Sequence, residues 1–143
     1  MSGSTPIGKF RAKMDGFLAD LKSWATPEQG RELEKFTMKY GLGMKANPRG
    51  TTEMFLNILL PYGHQIMQGD EDFFLSDQVQ ADGEYAQLGA QLKAWWPGFS
   101  GEQKEHIKKM FKLLFMLATI ALQSEEARGI INTYRDPDNP LAW

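Results

Sequence analysis

The chain has 143 residues and an almost balanced charge, with 16 basic and 18 acidic side chains and a net charge of -2. Its length is typical of one domain, and its 42% hydrophobic residues are enough for a buried core, which excludes a disordered chain. The absence of cysteine excludes disulfides, thiolate metal sites and cysteine nucleophiles, and the absence of a basic excess argues against a dedicated nucleic-acid-binding protein.

Two amphipathic helices are predicted in the first third of the chain. Between Ile7 and Trp24, apolar residues recur three or four positions apart, after a Thr5-Pro6 start that suits a helix N-terminus. The sequence TPEQ at 26–29 then combines a capping box with a proline in the first turn of a second helix. We expect the two glycines at 41 and 43 to end it. The core side of the second helix would carry Leu33, Phe36 and Tyr40.

Prolines and glycines divide the middle of the chain. The sequence KANPRG at 45–50 is typical of a loop, and a threonine at 51 or 52 would cap the helix that follows. Pro61 should kink or restart that helix because it lacks an amide hydrogen, and Gly69 should close it. A further helix is expected from Gly83 to Trp96.

The most apolar segment, Met110–Leu122, follows a second capping box, SGEQ at 100–103. Its length of about 20 Å is too short for a bilayer core of about 30 Å, and Lys112 interrupts it, so we predict no membrane span. Because it is apolar on almost every side, this helix should lie at the centre of a bundle. One more helix is expected at about 125–134.

We therefore predict an all-α, single-domain fold. It would be an orthogonal or mixed bundle of five to seven helices around a central apolar helix at about 101–123. Residues 1–134 would form the bundle, and residues 135–143, which contain two prolines, an extended C-terminal tail. No apolar run marks a signal peptide at the N-terminus, so we expect an intracellular, cytoplasmic protein.

The sequence GDEDFFLSD at 69–77 places three acids directly before two phenylalanines. Counted from Asp70 as an EF-hand, it lacks the oxygen ligand at the fifth position, the glycine at the sixth and the acid at the twelfth. We interpret it as a capped turn that returns a cluster of side chains to the core, namely Phe73, Phe74 and Leu75. Asp70 and Asp72, with His64, are weak candidates for a Mg²⁺ or Mn²⁺ site. No metal or other cofactor is predicted.

The chain has only two histidines, His64 and His106, and they lie in different predicted helices. Neither belongs to a zinc-protease motif, and there is no phosphate-binding loop or nucleophile elbow, so we predict no catalytic residues. A histidine–carboxylate pair assembled by the fold is left open by this pattern. The catalytic alternative is a helical hydrolase with a metal bound by Asp70 and Asp72.

Basic residues recur every four positions in two predicted helices. The first ridge consists of Arg31, Lys35 and Lys39, and the second of Lys104, Lys108 and Lys112. If both ridges shared one face, they could contact phosphates, and binding would weaken steeply with salt. Against this, Glu28 and Glu32 each precede a basic residue by three positions, so local ion pairs should neutralise part of the first ridge.

Aromatic residues outside the core pattern suggest contact with another protein. Trp95 and Trp96 are adjacent, so their side chains point about 100° apart on a helix and one of them should lie at the surface. The tail ends in PLAW, where Leu141 and Trp143 could dock on this domain or on a partner. We therefore expect a non-catalytic interaction or structural adaptor subunit, with a protein partner or a homo-oligomer. A nucleic-acid-binding accessory protein is the alternative.

Overall fold

The computed structural model describes residues 5–75 and 84–134. Within these ranges the chain forms an all-α, single-domain bundle without strands, as predicted. Six of its helices have nine residues or more, in agreement with the predicted five to seven. In chain order the helices are α1 (Pro6–Trp24), α2 (Pro27–Ala46), α3 (Pro48–Leu59), α4 (Gly63–Gln68), α5 (Asp72–Leu75), α6 (Glu84–Trp95), α7 (Gly101–Leu122) and α8 (Glu125–Thr133). The predicted tail at 135–143 lies outside the described residues.

Side-chain caps fix where the helices begin. Both predicted capping boxes form: the Thr26 hydroxyl accepts from the Gln29 amide at 3.2 Å, and the Ser100 hydroxyl from the Gln103 amide at 3.1 Å. In each box the glutamine side chain accepts the N–H of the cap residue in return. Each cap satisfies an amide that the helix leaves open and contributes about 1 kcal/mol.

The prediction that glycines 41 and 43 end α2 is wrong. The helix continues to Ala46, and Asn47 both ends α2 and caps α3, with its side-chain oxygen accepting the Gly50 amide at 3.0 Å. The physical reason is Pro48, which disfavours helical geometry at the residue before it. The predicted loop at 45–50 is therefore a single non-helical residue. The threonines at 51 and 52 are buried within α3 and do not cap it.

The remaining helix breaks follow the sequence. Pro61 lies in a 3₁₀ turn, Leu60–Tyr62, that separates α3 from α4, because proline cannot continue the helical hydrogen bonds. Gly69 ends α4 with φ at 70°, a left-handed conformation that glycine adopts without steric cost.

The core lies where α7 meets its neighbours. α7 packs on α1, α3, α4 and α8, whereas α2 packs on α1, α3 and α6, so α1 and α3 lie between α2 and α7. Aromatic rings connect these helices. The centre of the Phe55 ring, in α3, lies 5.1 Å from the ring centre of Phe10 in α1, 5.6 Å from that of Tyr85 in α6 and 6.5 Å from that of Phe111 in α7. In the described part of the chain, no helix is long and apolar enough to cross a membrane.

Candidate functional site

Helix α2 is apolar on two opposite sides. One side buries four residues in the core, namely Leu33, Phe36, Tyr40 and Met44. On the other side, Met38 and Leu42 are 69% and 63% exposed, and they are the most exposed large apolar side chains of the described residues. They are four positions apart and therefore adjacent on the helix surface. An amphipathic helix needs only one apolar side for its own domain, so the second side is not explained by folding.

Lysines surround this exposed pair. Lys35, Lys39 and Lys45 are exposed, and from Lys35 to Ala46 the helix carries no acidic residue. We call the five side chains Lys35, Met38, Lys39, Leu42 and Lys45 the α2 outer face. Among the described residues, no carboxylate lies within ion-pair distance of its three lysines. The outer face thus combines an apolar centre with uncompensated positive charge.

The predicted local ion pairs of the first ridge do not form within the described residues. Neither Glu28 with Arg31 nor Glu32 with Lys35 comes within ion-pair distance. The reason is that an exposed pair gains little in water and must immobilise two long side chains. Glu34 instead bonds to Lys22 of α1, and this contact lowers the pKa of the Glu34 carboxyl.

The second ridge, on α7, has different surroundings. Lys104 and Lys108 are only 28% and 18% exposed. The Lys104 ammonium lies 3.8 Å from the carboxylate of Glu71 and 5.7 Å from the centre of the Trp96 ring, while Lys108 pairs with Glu105 at 3.1 Å. Of this ridge, Lys112 alone is exposed and lacks an ion pair within the described residues. In the described part of the chain, α2 and α7 both pack on α1 and α3 and do not pack extensively on each other.

The tryptophan pair is divided between surface and core. Trp96 is buried, and its indole N–H donates to the Glu71 carboxylate. Trp95 is half-buried and packs against the edge of the core. The other two predicted partner-binding residues, Leu141 and Trp143, lie outside the described residues. Trp95 is therefore the one member of that predicted set for which the structure shows accessible surface.

The acidic stretch at 69–77 is a capped turn in its described part. The Asp70 carboxylate accepts the Asp72 amide at 2.9 Å and so caps α5. Glu71 accepts the indole N–H of Trp96, and this bond, reinforced by the positive charge of Lys104, lowers the pKa of the Glu71 carboxyl. Phe73 is buried against Tyr62 and Phe111, whereas the side chains of Phe74 and Leu75 lie outside the described part.

No group of three histidine, aspartate or glutamate side chains within the described residues is arranged to hold a metal ion. Two of the three weak candidates make other hydrogen bonds: the Asp70 carboxylate accepts the Asp72 amide, and His64 bonds to the Tyr134 hydroxyl at 2.8 Å. Gln68 donates to the same hydroxyl at 3.1 Å, so these three side chains connect α4 to the end of α8. His64 itself is exposed.

The fold does assemble one histidine–carboxylate pair. His106 Nε2 lies 2.8 Å from an Asp20 carboxylate oxygen, and the histidine ring packs edge-on against Trp24 at 5.5 Å. His106 is therefore a paired and partly covered side chain. Of the serine and threonine hydroxyls in the described residues, that of Ser23 donates to the backbone carbonyl of Asp20 at 2.7 Å, and none is hydrogen-bonded to the two side chains of the pair. The pair connects α1 to α7.

The sequence reasoning selected the first basic ridge but missed the apolar pair beside it. The signal was present, because Met38 and Leu42 keep helical spacing while falling opposite the stripe of Leu33, Phe36 and Tyr40. In the sequence analysis, only the stripe that faces the core was considered. No protein-family model matches this chain, and comparison with curated proteins and with solved structures found no match either.

Proposed function

We propose that this chain is a non-catalytic protein–protein interaction module and that its α2 outer face is the surface that binds. The observation that carries the proposal is the exposed Met38 and Leu42 pair on the side of α2 opposite the core. Adjacent exposed apolar side chains with a charged rim are a recognised mark of binding surfaces. The patch is small, so the module would bind weakly and reversibly.

A protein partner suits this surface better than a nucleic acid. Phosphates would be attracted by Lys35 and Lys39, but they would leave Met38 and Leu42 uncovered. Single-strand binding also relies on exposed aromatic rings on which bases stack. The α2 outer face carries none, and Lys104 and Lys108 of α7 make contacts within the bundle.

A peptide-display selection with the full chain as bait tests the proposal. The selected peptides should lose binding to the variant Met38→Ser/Leu42→Ser, which removes the apolar centre while leaving every charge in place. The matched control is Ala12→Ser/Ala19→Ser, which makes two polar substitutions at exposed positions of α1 and should leave binding unchanged. Circular dichroism checks that each variant is folded. Peptides that bind the double variant as tightly as the parent chain would show that another surface is responsible.

A further inference from the structure

We infer that the partner of the α2 outer face is an acidic amphipathic helix lying along α2. Its apolar residues would pack around Met38 and Leu42, and its carboxylates would meet Lys35, Lys39 and Lys45. This inference rests on the proposed function and adds the chemistry of the partner.

The spacing of the outer face favours a helix as the occupant. Lys35, Met38, Leu42 and Lys45 follow one another at intervals of three, four and three residues, which is the repeat of a coiled-coil seam. A partner helix can pack its side chains into the spaces between Met38 and Leu42 over about three turns of α2. Gly41 borders this seam, and a Cβ atom added there would meet no atom within 4 Å, so the surface beside Leu42 is open.

The charge of the outer face favours acidic residues on that partner. Its three lysines are exposed and lack ion pairs within the described residues, although the whole chain is slightly acidic. Their positive charge is therefore local to this surface. Lysine stems can cover the apolar edges of a bound helix while their ammonium groups reach its carboxylates. Complementary charge of this kind speeds encounter and fixes register, and like charges placed at the same positions lower the affinity.

The same charges argue against a second copy of this chain as the occupant. If two α2 helices paired in antiparallel fashion about their apolar centres, Lys35 of one copy would face Lys45 of the other. In a parallel pair each lysine would face its own equivalent. Like charges directly opposed across a seam destabilise the pair. An acidic helix removes this repulsion and keeps the apolar contact.

Synthetic peptides test the inference on the full chain. The probe is a fluorescent helical peptide of about three heptads, with leucine at the a and d positions and glutamate at e and g. Two comparison peptides carry lysine at e and g, or a central proline that breaks the helix. Fluorescence anisotropy at low salt should show binding of the acidic peptide at least about tenfold tighter than either comparison peptide. Equal binding of the acidic and the proline peptide would overturn the helical occupant.

Charge-reversed variants test the assigned face. Lys35→Glu/Lys39→Glu should weaken the acidic peptide about tenfold or more and should gain affinity for the lysine peptide. The matched control is Lys9→Glu/Lys13→Glu on α1, which changes the net charge equally at exposed residues and should alter binding by less than about twofold. An equal loss in both variants would mean that the peptide senses only overall charge, which overturns the inference.

The display selection distinguishes a failure of this inference from a failure of the function on which it rests. Display peptides that need Met38 and Leu42 but are neither acidic nor helical would overturn the inference and leave the proposed function standing. A selection that yields no peptide dependent on Met38 and Leu42 would overturn both. A third outcome concerns other anionic ligands: tighter binding of phosphatidylserine vesicles or oligothymidylate than of the acidic peptide, abolished by Lys35→Glu/Lys39→Glu, would replace the protein partner with a membrane or a nucleic acid.

Discussion

The two basic ridges have the same four-residue spacing in the sequence, but their lysines have different surroundings in the bundle. On α2, Lys35 and Lys39 extend into solvent and have no ion pair within the described residues. On α7, Lys104 and Lys108 are largely covered, and Lys104 contacts both Glu71 and Trp96. The difference lies in residues distant in sequence that the fold brings to one ridge only. A basic ridge is available to a partner only where the bundle itself supplies no carboxylate.

This comparison also explains why Glu71 belongs to the architecture. Its carboxylate receives the indole N–H of a buried tryptophan and lies beside a lysine that is itself mostly covered. The bond from the indole N–H is charge-assisted, and such bonds are stronger than those between neutral groups even though 43% of the Glu71 side chain is exposed. The acidic turn, the residue that follows α6, and α7 are held together at this point. The α2 outer face has no corresponding contact among the described residues.

The largest loss of stability is expected on removal of the buried Trp96 ring, which lies beneath the ammonium group of Lys104 in α7. Trp96→Ala should lower the free energy of unfolding by about 3–5 kcal/mol, because it removes a buried ring and leaves a cavity. Urea denaturation followed by circular dichroism measures this change. Trp95→Ala is the control, since removal of this half-buried ring should lower the free energy of unfolding by less. A loss below about 1 kcal/mol for Trp96→Ala would show that the contacts among Trp96, Glu71 and Lys104 do not stabilise the bundle.

An intermediate effect is expected at Glu71, and it should depend on pH. The folded state lowers the pKa of this carboxyl, so its stabilising contribution is present above the unfolded value of about 4.3 and is lost as the pH falls through the folded value. Glu71→Gln should therefore lower the melting temperature at neutral pH, and the difference from the parent chain should shrink below about pH 4.

The control for Glu71 is Glu32→Gln, which changes an exposed carboxylate on α2 that has no ion pair within the described residues. Its melting temperature should follow that of the parent chain across the same pH range. A difference between Glu71→Gln and the parent that stays constant down to pH about 3 would assign the effect to lost packing and not to the charge of Glu71.

Local signals in the sequence predicted much of the fold. Hydroxyl caps, capping boxes, Pro61 and Gly69 act through neighbours a few residues away, so their effects can be read directly from the chain. The glycines at 41 and 43 misled the prediction because glycine also tolerates the helical conformation, and the actual stop at Asn47 is imposed by Pro48.

The contacts of the candidate site were less accessible to sequence reasoning. His106 meets Asp20 across 86 positions, and Trp96 meets Glu71 across 25, so periodicity within one helix carries no information about either pair. The lack of an ion pair at Lys35 within the described residues could not be predicted for the same reason, since it depends on which carboxylates the bundle places nearby. The exposed Met38 and Leu42 pair, in contrast, could have been found from its position opposite the core stripe.

The smallest effect is expected on α2, and it tests the comparison of the two ridges directly. Lys35→Ala/Lys39→Ala should change the free energy of unfolding by no more than about 0.5 kcal/mol, because neither lysine makes an ion pair within the described residues. Lys104→Ala/Lys108→Ala should destabilise the chain more, since it removes the ammonium group that lies beside Glu71 and over the Trp96 ring. Urea denaturation at neutral pH compares the two double variants. If the α2 variant were destabilised as much as the α7 variant, its lysines would be committed to the fold, and the charge that is meant to attract an acidic helix would not be free.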